Sequence, residues 1–167
     1  MRIRASVLAL AAIGLLTQSA TAQTAKKNVQ LLDKHVLSLE AARKMVRAAE
    51  AEAERNNWRG VIAVVDDGGW LIVLERMDHA AMTASVELAA GKARSAALFK
   101  KPTRDLEEAI NHGRYAAITA RGFVEMQGGL PVVINGEVVG AIGASFATPQ
   151  EDAQVAQTGL AALSQDH

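Results

Sequence analysis

The sequence predicts an α+β domain: an antiparallel sheet built from two hairpins and packed with helices, in the order α-ββ-α-α-ββ-α. Three observations predict it. Residues 60–78 read GVIAVVDDGGWLIVLERMD, two apolar runs around an Asp66-Asp67-Gly68-Gly69 turn. The glycines permit the positive φ that a tight reversal needs, so the stretch is a β-hairpin. Residues 132–145 repeat the pattern around Asn135-Gly136, the dipeptide of a type I′ turn. Elsewhere apolar residues recur at steps of three and four, the helical period. Hairpin connections make an antiparallel sheet, and helices segregated from them make the class α+β.

The chain opens with Arg2 and Arg4, then an apolar run over residues 5–16, then Ala20-Thr21-Ala22. That order is a signal peptide over residues 1–22 with an A-x-A cleavage site, and the competing reading is an uncleaved anchor. The run is too short to span a bilayer, and no other stretch is longer. The expected product is periplasmic or secreted, starting near Gln23. Residues 23–36 read as a mobile leader and residues 37–167 as one domain.

Within that domain Ser38 is a candidate N-cap, with Glu40 in the first turn. Leu39, Ala42, Val46, Ala49 and Ala53 form one apolar stripe, and Asn56-Asn57 ends the helix. Neither strand of the first hairpin alternates apolar with polar, which predicts that both have both faces covered. Residues 85–100 read as a second helix with a small-residue face of Ala89, Ala93, Ala96 and Ala97, stopped by Pro102. Thr103 is placed to cap a third helix carrying Leu106 and Ile110, with Gly113 as its stop. Residues 114–127 fit neither period and read as helix turning into loop. Gly128-Gly129-Leu130-Pro131 reads as a turn before the second hairpin. Gly140 and Gly143 in its return strand predict close approach by another backbone, a helix or a ligand. Thr148-Pro149-Gln150-Glu151 is a capping box opening the last helix.

The 18 basic and 18 acidic residues balance, and loss of Arg2 and Arg4 leaves the mature chain mildly acidic, which argues against nucleic acid. There is no cysteine, which excludes thiolate catalysis, cysteine-ligated metals and stabilisation by disulfides. Residues 89–93 lack the leading glycine and the Ser/Thr of a phosphate loop, and residues 143–147 fall one residue short of a nucleophile elbow. The histidines His35, His79, His112 and His167 form no zinc-binding spacing. For His79 and His112 a solvated loop or helix end is the plainer reading. Arg76, Asp78 and Lys92 are the stronger site candidates, with a structural ion pair as the competing reading.

Three blocks, VIAVVDDGGWLIVLERMD, GKARSAALFKKPT and GGLPVVINGEVVGAIGAS, followed by a helix containing Asp152, resemble the GlcG/HbpS family. This haem-degrading domain family is similar to the C-terminal domain of PduO-type proteins. The resemblance runs in one register over residues 37–163. It implies a compact homo-oligomeric domain, an assembly also favoured by the missing disulfides and the alanine-rich helix faces. Two departures stand out. Ser145-Phe146-Ala147 replaces a Gly-rich segment, narrowing any pocket there, and His79 adds a potential metal ligand where a small residue is common.

The resemblance further implies binding of haem or a related tetrapyrrole, with haem degradation or iron binding as possible activities. The implied pocket is lined by the hairpin exit, the small-residue helix and the turn at Gly128, Gly129 and Pro131, with Ser145 beside it. Arg76 and Lys92 would pair with propionates. His79 or His112 would be the axial ligand, ahead of Tyr115 or Met126. A rival reading is an enzyme, or an accessory to one, acting on a small organic acid. Arg76 would then clamp a carboxylate while Asp78 or Glu125 serves as general base. A third is a structural oligomer whose pocket-like features are subunit contacts. The export expectation is checked by intact-mass measurement on secreted protein, which should give a chain beginning at Gln23; full-length protein in the membrane fraction would contradict it.

Overall fold

The computed structural model describes residue 30 and residues 32–165. The expected signal segment, most of the expected leader and His167 lie outside the described residues. The element order is α1 (Leu39–Arg55), β1 (Val61–Asp66), β2 (Leu71–Arg76), α2 (Ser85–Phe99), α3 (Thr103–Asn111), a 3-10 helix (Tyr115–Thr119), β3 (Gly129–Ile134), β4 (Glu137–Ser145), α4 (Pro149–Ala161) and a closing 3-10 turn (Ala162–Gln165). The four strands form one sheet in the order β2-β1-β4-β3, antiparallel at every pairing. The α+β class and the order α-ββ-α-α-ββ-α are therefore those of the structure.

Helices cover both faces of the sheet. Alternate residues of a strand point to opposite sides, and β1 distributes them accordingly. Ile62 and Val64 join Met45, Val46, Ala49, Ile142 and Val155 in the core beneath α1 and α4. Val65 packs with Ala93, Ala96, Ala97 and Ala141 beneath α2, and Val61 and Ala63 pack with Ala89. A continuous apolar run is what a doubly covered strand requires, and β1 is buried along its length. For β2 the same expectation fails. It is an edge strand, with Leu71, Glu75 and Arg76 exposed and its middle half-buried. An apolar run alone does not distinguish a central strand from an edge strand flanked by one neighbour.

The local signals act as their chemistry dictates. The Ser38 hydroxyl accepts from Ala41 N at 3.1 Å, and Thr148 accepts from Glu151 N at 3.3 Å with Pro149 opening α4. In the first hairpin Asp66 accepts from Trp70 N through Oδ1 at 2.8 Å, and Asp67 meets Lys34 at 2.9 Å. Asn135 and Gly136 both take positive φ, 51° and 82°, the signature of the type I′ turn. Lys100, in left-handed conformation at φ 56°, closes α2. The residues read as a turn before the second hairpin are partly strand: β3 begins at Gly129 and includes Pro131, tolerated because β3 is an edge.

Gly143 sets the spacing of the α2 layer. A Cβ there would overlap the Ala89 carbonyl oxygen and lie 2.6 Å from Ala93 N. The alanine face of α2 therefore rests directly on the backbone of β4. Ahead of α1, Leu37 N donates to Val139 O at 3.1 Å, and the Leu37 side chain packs against the core.

Candidate functional site

The small-residue helix carries one side chain out of keeping with its face. Lys92 lies three residues after Ala89 and four before Ala96, on the buried stripe, and is only 1 % exposed. A lysine is almost never buried without a partner. Its Nζ donates to Asp152 Oδ2 at 2.5 Å and to Ala144 O at 3.2 Å, while Asp152 Oδ1 accepts from Phe146 N at 2.5 Å. Burial pushes the Asp152 carboxyl above its ordinary value, against the hydrogen bond and charge of Lys92 and the Phe146 amide, which pull it down. The expectation that Lys92 meets a ligand carboxylate does not hold, because its ammonium is enclosed and committed. Its long side chain is packed in the interior.

Gly128 and Gly129 belong to the same buried knot. Gly128 has φ 120°, and a Cβ there would lie 2.7 Å from Asp152 Cβ and 2.8 Å from Ala144 O. One at Gly129 would overlap the Lys92 carbonyl. The two glycines admit α2 and α4 to the start of β3; both are buried. Thr103, read as a helix cap, accepts from Gly129 N at 2.8 Å instead, and Pro102 occupies the cap position. Pro131 pairs with Ala141 in the sheet. Ser145 is buried and its hydroxyl donates to Ser85 Oγ at 3.1 Å. These residues hold the fold together rather than line an open pocket.

The hairpin exit is a separate place. Arg76, Asp78, His79 and Thr83 border a depression of about 170 Å³. Met77 N donates to Gly60 O at 3.0 Å and anchors the segment, and His79 adopts φ 61°. Arg76 and Asp78 have no ion-pair partner among the described residues. The sequence-predicted site thus divides: Arg76, Asp78 and His79 stay together at the surface, whereas Lys92, Gly128, Gly129 and Ser145 are interior.

A larger groove, about 400 Å³, lies between α2, α3 and the irregular segment after the 3-10 helix. Leu88, Ile110, Ile118, Phe123, Val124 and Met126 supply its apolar lining, and Glu107, Asn111 and Glu125 its polar groups. Its far wall has no regular structure, so its backbone depends on side-chain acceptors. Val124 N donates to Ser95 Oγ at 2.9 Å and Gln127 N to Glu107 Oε2 at 2.7 Å. Gln127 Nε2 reaches Pro149 O at 2.9 Å. A polar Ser95 within an alanine face was the one sequence signal of this wall.

One donor suited to iron, Met126, is in the wall of the groove. His112 follows the lining residue Asn111 at the end of α3 but is outside the lining itself. His112 Nδ1 is 2.7 Å from Glu108 O. A carbonyl oxygen only accepts, so in this contact Nδ1 carries the proton, and Nε2 is the ring nitrogen that would be left for a metal. Among the described residues no group of three His, Asp or Glu side chains could hold a bare metal ion. Nor is any described helix long and apolar enough to cross a membrane.

The fold and groove define a small α+β domain with a sheet covered on both faces and an apolar surface cleft. Residues 37–161 match the family described as haem degrading protein HbpS-like, and the chain belongs to it. Protein GlcG of Escherichia coli K12 is 44 % identical over 112 residues, covering 67 % of this chain and 83 % of GlcG. The crystal structure of Klebsiella pneumoniae protein ORFY superposes with a TM-score of 0.78 at 31 % identity, covering 83 % of this chain and 98 % of that one. The PduOC:heme complex superposes with a TM-score of 0.70 at 29 % identity, covering 76 % and 94 %.

Lys92→Met should destabilise the protein by about 3–5 kcal/mol, the cost of orphaning a buried charge. Lys92→Met combined with Asp152→Asn should recover part of that loss, since the orphaned charge is gone and the Asn oxygen still accepts from Phe146. Urea unfolding of the two variants checks this. A single variant as stable as the wild type would show that the pair does not hold the fold.

Proposed function

We propose that this chain is an exported haem-binding protein whose tetrapyrrole lies in the groove between α2, α3 and residues 120–126. The observation that carries the reading is an apolar groove of about 400 Å³, in the size range of small-molecule sites, on a fold shared with a protein solved as a haem complex. The hairpin-exit depression, at about 170 Å³, is too small for a macrocycle. Leu88, Ile110, Phe123 and Val124 offer the ring an apolar face. His112 Nε2, at the end of α3, and Met126 Sδ, on the wall, are the side-chain atoms that would bind the iron. Bound haem supplies the iron; this chain's part is to desolvate the ring and to fix the imidazole by its bond to Glu108 O. Degradation of haem would require in addition an open coordination position on the iron.

On the outer side of the groove Ile118 (69 % exposed) and Met126 (48 %) face solvent, as does Tyr115 (66 %) at the start of the 3-10 helix. Both sheet edges also expose apolar residues, Trp70 and Leu71 on one side and Val133 and Ile134 on the other. These surfaces support assembly as a homo-oligomer, the association that would cover them. A second reading has its own observation. Unpaired Arg76 beside His79 and Thr83 in the small hairpin-exit depression suits a small organic acid better than a tetrapyrrole.

Apoprotein titrated with haemin should develop a shifted Soret band. His112→Ala should weaken binding about tenfold or more and alter the band, while His79→Ala leaves both unchanged. No spectral change on titration would refute the haem reading. Loss of binding in His79→Ala alone would move the site to the hairpin exit.

A further inference from the structure

The groove does not end at Ala120. A second cavity of about 150 Å³ adjoins it, and the two share Ala120 and Glu125 as lining. The aromatic rings on either side also meet: Phe123 of the groove and Phe99 of the second cavity pack edge to face with centroids 4.9 Å apart. What differs is charge. The groove has acidic groups only, Glu107 and Glu125, whereas the second cavity carries two cations, Lys101 and Arg114, beside apolar Leu106. Both cations are exposed, and neither has an ion-pair partner among the described residues.

We propose that Lys101 and Arg114 form a carboxylate subsite, which receives the acidic substituents of a ligand whose apolar body lies in the adjoining groove. The inference rests on the haem reading and adds to it which end of the ring carries the propionates. Two unpaired cations at the edge of an apolar trough match an amphipathic dicarboxylate, because one part of the ligand leaves water while the other keeps its charge compensated. Glu125 stands on the shared wall and opposes the cations, leaving the cavity one net positive charge. It therefore weakens carboxylate binding there. This chain's own geometry replaces the expected pairing by Arg76 and Lys92, one of which is at the hairpin exit and the other enclosed.

The test compares haemin with its dimethyl ester, which has the same ring and no carboxylates, using the mature full chain and Soret titration. Wild type should bind haemin about tenfold or more tightly than the ester, the size of a charge-assisted contact. Lys101→Gln and Arg114→Gln should each weaken haemin binding several-fold and leave ester binding unchanged, and in the double variant, where Glu125 is the charge left in the cavity, haemin should bind no more tightly than the ester. Glu125→Gln should tighten haemin alone. Equal wild-type affinities for haemin and ester, or cation variants that weaken both ligands alike, would overturn the subsite while leaving haem binding intact. If wild type binds neither ligand, the haem reading itself falls, and the propionate subsite falls with it. Thermal melting of each variant, expected at the wild-type temperature, separates lost binding from lost fold.

Discussion

The buried ion pair between Lys92 and Asp152 is the constraint on which the rest of the structure depends. It links α2, on one face of the sheet, to α4, on the other, around the end of β4 where Ala144 O and Phe146 N complete its hydrogen bonds. Such a pair yields little net stability against a well-packed apolar alternative, because desolvation offsets most of the attraction. Its effect is on geometry. With the ammonium and carboxylate fixed, Gly128 and Gly129 are the residues that can pass between the two helices, and β3 begins at the second of them.

From that point the groove follows. The segment leading into Gly128 cannot pair with the sheet, so its amides are satisfied by Ser95 and Glu107, side chains of the two helices that form the opposite wall. Gly91 leaves room for Val124 against α2; a Cβ there would overlap the Val124 side chain. The apolar cleft is thus held open by polar contacts at its rim, and its lining comes from three consecutive stretches of chain, α2, α3 and the segment that follows.

Much of the fold was legible in the sequence. Turn chemistry at Asp66–Gly69 and Asn135-Gly136, caps at Ser38 and Thr148, and the alanine stripe of α2 are local signals, and local geometry realises them. Edge and centre are not local. The run in β2 looked like that in β1, and only the order β2-β1-β4-β3 exposes it. Lys92 shows a different limit. Its spacing between Ala89 and Ala96 placed it on the buried stripe, yet charge suggested a ligand contact; identifying its partner needed Asp152, sixty positions away. Of the expected site, the Arg76–Asp78–His79 exit is a surface feature, and Met126 and Glu125 line the groove. The groove as a whole was unreadable because residues 114–127 carry no periodicity that would place them against α2 and α3.

Under the proposed function, small-molecule chemistry belongs to this groove and structural chemistry to the Lys92 knot. Amide and methyl chemical-shift mapping during titration with a diamagnetic haem analogue, gallium protoporphyrin, tests it most directly. Shifts centred on Leu88, Ile110, Ile118, Val124 and Met126 and extending to His112, Lys101 and Arg114, with Arg76 to His79 silent and the amides of Lys92, Asp152 and Phe146 unmoved, are the predicted result. Shifts centred on Arg76, Asp78 and His79 with the groove silent would contradict the account.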